Sequence, residues 1–160
     1  MDKPVFPLID IYDSSHVDLI PAEENFKKAP ASDLFLDEDY SELYDAQGYV
    51  WHYRLIAKAF KNTFWNRLLA YTFYNPKYKT KPVWERIREY HIEDLKDRLK
   101  ECVDADDDII TQYEDAEIIK REINICFSFA DVVDVLNKYV FDVRLDEIVE
   151  EQRKREEARS

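Results

Sequence analysis

Residues 43–73 read LYDAQGYVWHYRLIAKAFKNTFWNRLLAYTF, and the expected fold turns on where this stretch changes its period. Leu43-Tyr44, then Asp45-Ala46-Gln47-Gly48, then Tyr49-Val50-Trp51-His52-Tyr53 read as strand, turn and strand, with aromatic and β-branched residues favouring extended backbone. Gly48 is the sole glycine of 160 residues and falls where the turn wants a positive φ. From Ile56 the spacing changes. Ile56, Phe60, Phe64 and Leu68 recur every four residues, with Trp65, Leu69 and Phe73 one step round. That stripe predicts a core-facing helix, ending near Asn75-Pro76 because proline disfavours helical geometry in the residue before it.

Helical spacing continues downstream. A linker, Pro76–Pro82, carries Lys77, Lys79 and Lys81, and a second stripe then runs through Trp84, Ile87, His91, Leu95, Leu99 and Cys102. A third runs from Ile119 through Ile123, Cys126, Ala130, Val133 and Leu136 to Val140. Ser128 followed by Asp131 resembles a capping box, so two helices are expected to meet near Ser128. Leu145, Ile148 and Val149 begin a last amphipathic helix, and residues 150–160 form a charged tail. Upstream, residues 1–33 hold four of the six prolines and read as an irregular arm packed through Phe6, Ile9, Ile11 and Leu19; Pro7 weakens the strand signal of Val5–Ile11. The expected fold is α+β, mainly α: a helical core with a small antiparallel β-hairpin near residues 42–54, in a single domain spanning residues 1–160.

Charge is sorted along the chain. The balance is −9 over residues 1–48, +7 over 49–100, −11 over 101–150 and +1 over the last ten, for a net −12. A surplus of that size repels nucleic acid and anionic lipid and attracts a cationic partner. The basic residues of 49–100 are dispersed among core-type aromatics, so neither direct nucleic-acid binding nor membrane binding is expected. Glycine scarcity disfavours phosphate-cradling loops. Cys102 and Cys126 stand among apolar residues and read as two reduced core thiols. No segment has the apolar length of a signal peptide or a membrane span, so the protein reads as cytoplasmic.

Asp104-Ala105-Asp106-Asp107-Asp108, with Asp115, mimics the one-three-five-twelve rhythm of a calcium loop. Ile109 at position six and an aspartate at position twelve break that pattern, so no metal and no cofactor are expected. Extended by Glu114 and Glu117, the cluster places seven carboxylates within fourteen residues. Lysine or arginine from a partner would relieve their mutual repulsion; a solvated face, or pairing with the chain's own Lys77–Arg88 region, is the alternative. A second acidic set comprises Asp37, Glu38, Asp39 and Glu42. Tyr74 and Tyr78 flank Asn75-Pro76 as the exposed aromatic pair expected to anchor an interface. His91 reads as a hydrogen-bonded core residue, and no histidine pair or nucleophile elbow points to catalysis.

The Tyr44–Trp51 hairpin, the helices after it and the acidic loop Asp104–Asp108 together resemble the small acidic immunity proteins that bacteria keep beside secreted antibacterial toxins. The resemblance implies a stoichiometric inhibitor, with no turnover, that blocks a cationic and often nuclease toxin. Carried over, it assigns Asp104, Asp106, Asp107, Asp108, Glu114, Asp115 and Glu117 to the inhibitory face, with nearby tyrosines as anchors. Two other classes stay open: a nucleic-acid mimic that inhibits a DNA-binding enzyme, and a small enzyme using His52 or His91 beside a carboxylate.

Overall fold

The computed structural model describes residues 2–35, 41–61, 63–72, 75–105, 111, 114–139, 153–155 and 157–159. Among them run seven strands, β1 Leu8–Tyr12, β2 His16–Ile20, β3 Lys28–Pro30, β4 Ser41–Tyr44, β5 Tyr49–Ile56, β6 Lys77–Lys79 and β7 Lys81–Glu89. Four α-helices accompany them: α1 Phe64–Thr72, α2 Ile92–Ala105, α3 Ala116–Asn124 and α4 Phe129–Tyr139. The protein is α+β with strands dominating the core, which corrects the mainly α expectation. The chain divides into two compact units, Met1–Leu8 with Ile20–Glu89, and Ile9–Leu19 with Tyr90–Ser160.

In the first unit β4, β5 and β7 are neighbours in that order. Leu43 pairs with Trp51 and Tyr44 with Val50, and β7 continues the sheet beyond β5, so the sequence hairpin belongs to a larger sheet rather than being a small addition to helices. Gly48 takes φ 89°, the left-handed geometry that glycine enters without a Cβ clash. Residues 81–89 are the correction with the widest consequence. They pair with β5 from Ile56↔Lys81 to Tyr49↔Glu89, with a bulge at Val50/Trp51, instead of opening a helix. Pro82 sits near the start of this outer strand, a position where sheets tolerate proline. Trp84 is opposite Tyr53, and with Phe26 they form an aromatic cluster: Phe26 lies 4.7 Å from Tyr53 and 5.0 Å from Trp84, both edge-on. Leu8, Leu43 and Trp51 complete this core.

Two further expectations fail in the same unit. The presumed linker contains β6, paired with β3 through Ala29↔Tyr78. Ile56 ends β5, so α1 begins only at Phe64 and the expected stripe is cut in two. Only Ala70 of α1 is buried, while Phe64 and Trp65 are 70% and 68% exposed.

At the hairpin the Tyr44 hydroxyl donates to Glu42 Oε2 at 2.7 Å and accepts from Arg88 Nη2 at 3.2 Å. Burial first, then Glu42, pushes the Tyr44 phenol up to about 12, with Arg88 opposing. The folded state therefore holds the phenolic proton more tightly than the unfolded chain. That contribution is fully present below the ordinary tyrosine pKa near 10 and is lost as pH rises from there to about 12. Denaturation of wild type against Tyr44→Phe should reveal a difference in pH dependence on the order of 2 kcal/mol across that window. Parallel stability profiles for the two proteins would refute it.

The second unit holds most of β1 and β2, which hydrogen-bond to each other; the arm expected to be irregular therefore contains strands. Asp13 and Ser14 turn the chain at positive φ, and Ser14 Oγ accepts from Arg98 Nη2 of α2 at 3.2 Å. Leu95, Leu99, Ile119, Ile123, Val132 and Leu136 supply the helical part of the core. Cys102 and Cys126 are both buried. His91 is exposed rather than buried: it precedes α2, where its backbone N–H donates to Asp94 Oδ2 at 3.0 Å. The end of the chain contributes helical residues 153–155 and 157–159, and the helix expected from Leu145 lies outside the described residues.

Candidate functional site

The turn between α3 and α4 is set by local chemistry. Ser128 Oγ accepts from Asp131 N at 3.2 Å, and Asp131 Oδ2 accepts from Ser128 N at 2.9 Å and Phe127 N at 3.0 Å. This reciprocal box starts α4 and separates it from α3, where the sequence placed the junction. The Phe127 backbone N–H first, then the Ser128 side chain and backbone, hold the Asp131 carboxyl below the usual aspartate range. In a stapled helix start, the residue before the cap folds onto the fourth helical residue. Here Val132 at that position is fully buried, yet Phe127 stands 91% exposed. The staple is not made.

Beside Phe127 opens a groove of about 380 Å³, lined by Glu122, Ile125, Cys126, Phe127, Asp131, Asp134 and Val135. Ile125 is 66% exposed, so two large apolar side chains stand in solvent at one turn. The carboxylates differ in availability. Glu122 pairs with Lys138 at 3.1 Å across α3 and α4. Among the described residues Asp131 is bound by neutral donors and Asp134 lies exposed on α4, so these two carry the negative charge of the rim that no described cation meets. Burial, followed by Asp131, Glu122 and Asp134, pushes the Cys126 thiol up against the opposing Lys96 ammonium. That thiol is therefore held protonated and is a poor nucleophile.

The floor is fixed from below. Lys96 of α2 is only 4% exposed and donates to the Cys126 carbonyl at 3.0 Å and to Glu93 Oε1 at 2.9 Å. A buried ammonium is tolerated because both partners are acceptors, one a carboxylate.

The described residues of the acidic cluster expected to form the binding face turn to the chain's own groups. Asp104 and Glu117 both meet Lys120, at 2.8 and 2.6 Å, and Asp104 first, then Glu117, holds Lys120 above the ordinary lysine range. Asp115 caps α3, its Oδ1 accepting from Glu117 N at 3.0 Å. Glu114 Oε1 accepts from Asp115 N at 3.0 Å. Asp106, Asp107 and Asp108 lie outside the described residues, as do Tyr74 and Asp37–Asp39, while Glu42 is held by Arg88 and Tyr44. Tyr78 is half-buried in β6 with its ring 5.2 Å from Phe60, a packing role instead of the expected exposed anchor.

The calcium pattern falls partly on undescribed residues, and its two described ends, Asp104 and Asp115, are engaged as above. Among the described residues, no group of three or more His, Cys, Asp or Glu is placed to hold a metal ion. His52 lies opposite Glu85 in the β5–β7 register. No helix among the described residues is long and apolar enough to cross a membrane. Ile125 and Phe127 were missed in the sequence because they interleave with the Ile123–Cys126–Ala130 stripe. The signal that finds them is an apolar residue directly before a capping box.

No family model matches the chain, and neither a curated protein nor a solved structure matches it.

Proposed function

We propose that this chain is a non-catalytic binding protein whose α3–α4 groove receives an apolar side chain flanked by lysine or arginine on a cationic protein partner. The observation that carries this reading is the unstapled Phe127, 91% exposed beside the Asp131 and Asp134 carboxylates. An exposed aromatic beside a groove gains area and sheds water when a partner covers it, and the acidic rim selects the sign of that partner. In the immunity reading the partner is a cationic antibacterial toxin, and binding is inhibitory. The groove then takes over the inhibitory role first expected of residues 104–117, whose described acids are already occupied by Lys120 and by the start of α3.

A synthetic peptide alternating lysine and leucine is the defined probe. Calorimetry should show binding that weakens roughly tenfold or more between about 50 and about 300 mM salt. Phe127→Asp and Asp134→Lys should each weaken it by about tenfold, the cost of one lost anchor or one reversed charge. Equal affinity in the variants would remove the groove from the account. Immunity itself is checked by co-expression with the product of the adjacent gene: protection from growth arrest, lost with Phe127→Asp, is expected, and protection by neither protein would reject it.

A further inference from the structure

The groove suits a cationic apolar segment, and the chain displays one of its own. α1 exposes Phe64, Trp65, Leu68 and Leu69, with the rings of Phe64 and Trp65 5.6 Å apart and edge-on. Lys61, just before the helix, is exposed as well. Residues 46–84 contain seven lysines and arginines and not one aspartate or glutamate. An amphipathic helix normally turns its apolar stripe to the core; this one turns it to water.

We propose that α1 of one molecule seats in the α3–α4 groove of a second copy, with Phe64 and Trp65 against Ile125 and Phe127 and the positive α1 region facing Asp131 and Asp134. The inference rests on the groove's preference for cationic apolar segments. Charge complementarity selects the pairing: α1 against α1 would bring positive stretches together, and groove against groove would bring carboxylates together. An anionic lipid surface would meet a chain of net charge −12, whereas the groove is a local site of opposite sign. Each copy offers one helix and one groove, so the contact is head-to-tail and need not stop at two. One short helix against one groove makes a contact of the weak class, with association expected between about 10 μM and about 1 mM.

Analytical ultracentrifugation of wild type should show mass rising with concentration over that range at about 50 mM salt and falling back toward monomer at about 300 mM. Trp65→Glu and Phe127→Glu should each remain monomeric. Their equimolar mixture should form a dimer that grows no further, because one variant keeps the groove and the other keeps the helix. Phe64→Glu with Ile125→Glu repeats the cross if circular dichroism shows either first variant misfolded. A wild type that stays monomeric throughout, variants that stay monomeric when mixed, or vesicles rich in anionic lipid binding a monomeric wild type would each overturn the proposal. The lysine–leucine peptide separates the two readings. If it binds Trp65→Glu while wild type never associates, the groove function stands and self-association falls. Association that saturating peptide leaves intact places the contact elsewhere and overturns the proposal.

Discussion

Asp45→Ala should destabilise the protein by about 3–5 kcal/mol, because several buried N–H donors lose their shared acceptor at about 1–3 kcal/mol each. Asp45 is fully buried. Its Oδ2 accepts from Trp51 Nε1 at 2.9 Å and from Val5 N at 3.5 Å, while Oδ1 accepts from the N–H groups of Gln47 and Tyr49, each at 3.0 Å. Four donors around one carboxyl group satisfy its oxygens at zero exposure. They also explain why the turn closes where it does, with Asp45 N donating to the Tyr49 carbonyl at 3.1 Å. Alanine leaves the indole and three backbone donors facing one another. Asn keeps the volume and one acceptor but sets an amide donor against another donor, so Asp45→Asn should fall between wild type and alanine. Urea denaturation provides the comparison; a loss below about 1 kcal/mol for alanine would show that water or backbone shifts replace the carboxylate.

Lys96→Ala should cost about 3 kcal/mol, combining a lost buried stem with a carbonyl left without its donor. Lys96→Met keeps most of the stem and should cost less, about 1–2 kcal/mol, because removing the ammonium also removes its desolvation cost. Glu93 is 67% exposed and regains water in either variant. The order of the two variants decides whether Lys96 acts by packing or by its hydrogen bond to Cys126. Both should also weaken the lysine–leucine peptide, since that bond fixes the floor of the groove. Equal losses for Ala and Met would assign the whole effect to the ammonium.

How far the sequence could be read depended on the range of the interactions involved. The β4–β5 hairpin was legible because its cause is local: Asp45 and Gly48 act within four residues of each other. The α3–α4 junction was legible for the same reason, through Ser128 and Asp131. Residues 81–89 were not, since Trp84, Ile87 and His91 fit helical spacing and only the distant Tyr53 and Phe26 make Trp84 a sheet residue. Apolar period also says which side chains share a face, not whether anything covers it. The exposed Phe64 and Trp65 of α1 show that limit. Charge counting likewise does not say which acids meet the chain's own cations: Lys120 lies sixteen residues from Asp104, and sequence alone does not reveal that they meet at 2.8 Å.

Residue-resolved NMR titration with the lysine–leucine peptide tests the docking claim most directly. Amide shifts should concentrate between Glu122 and Val135, centre on Ile125 and Phe127, and fade as salt rises from about 50 to about 300 mM. Shifts confined to residues 104–117, or spread evenly over the acidic surface, would contradict it.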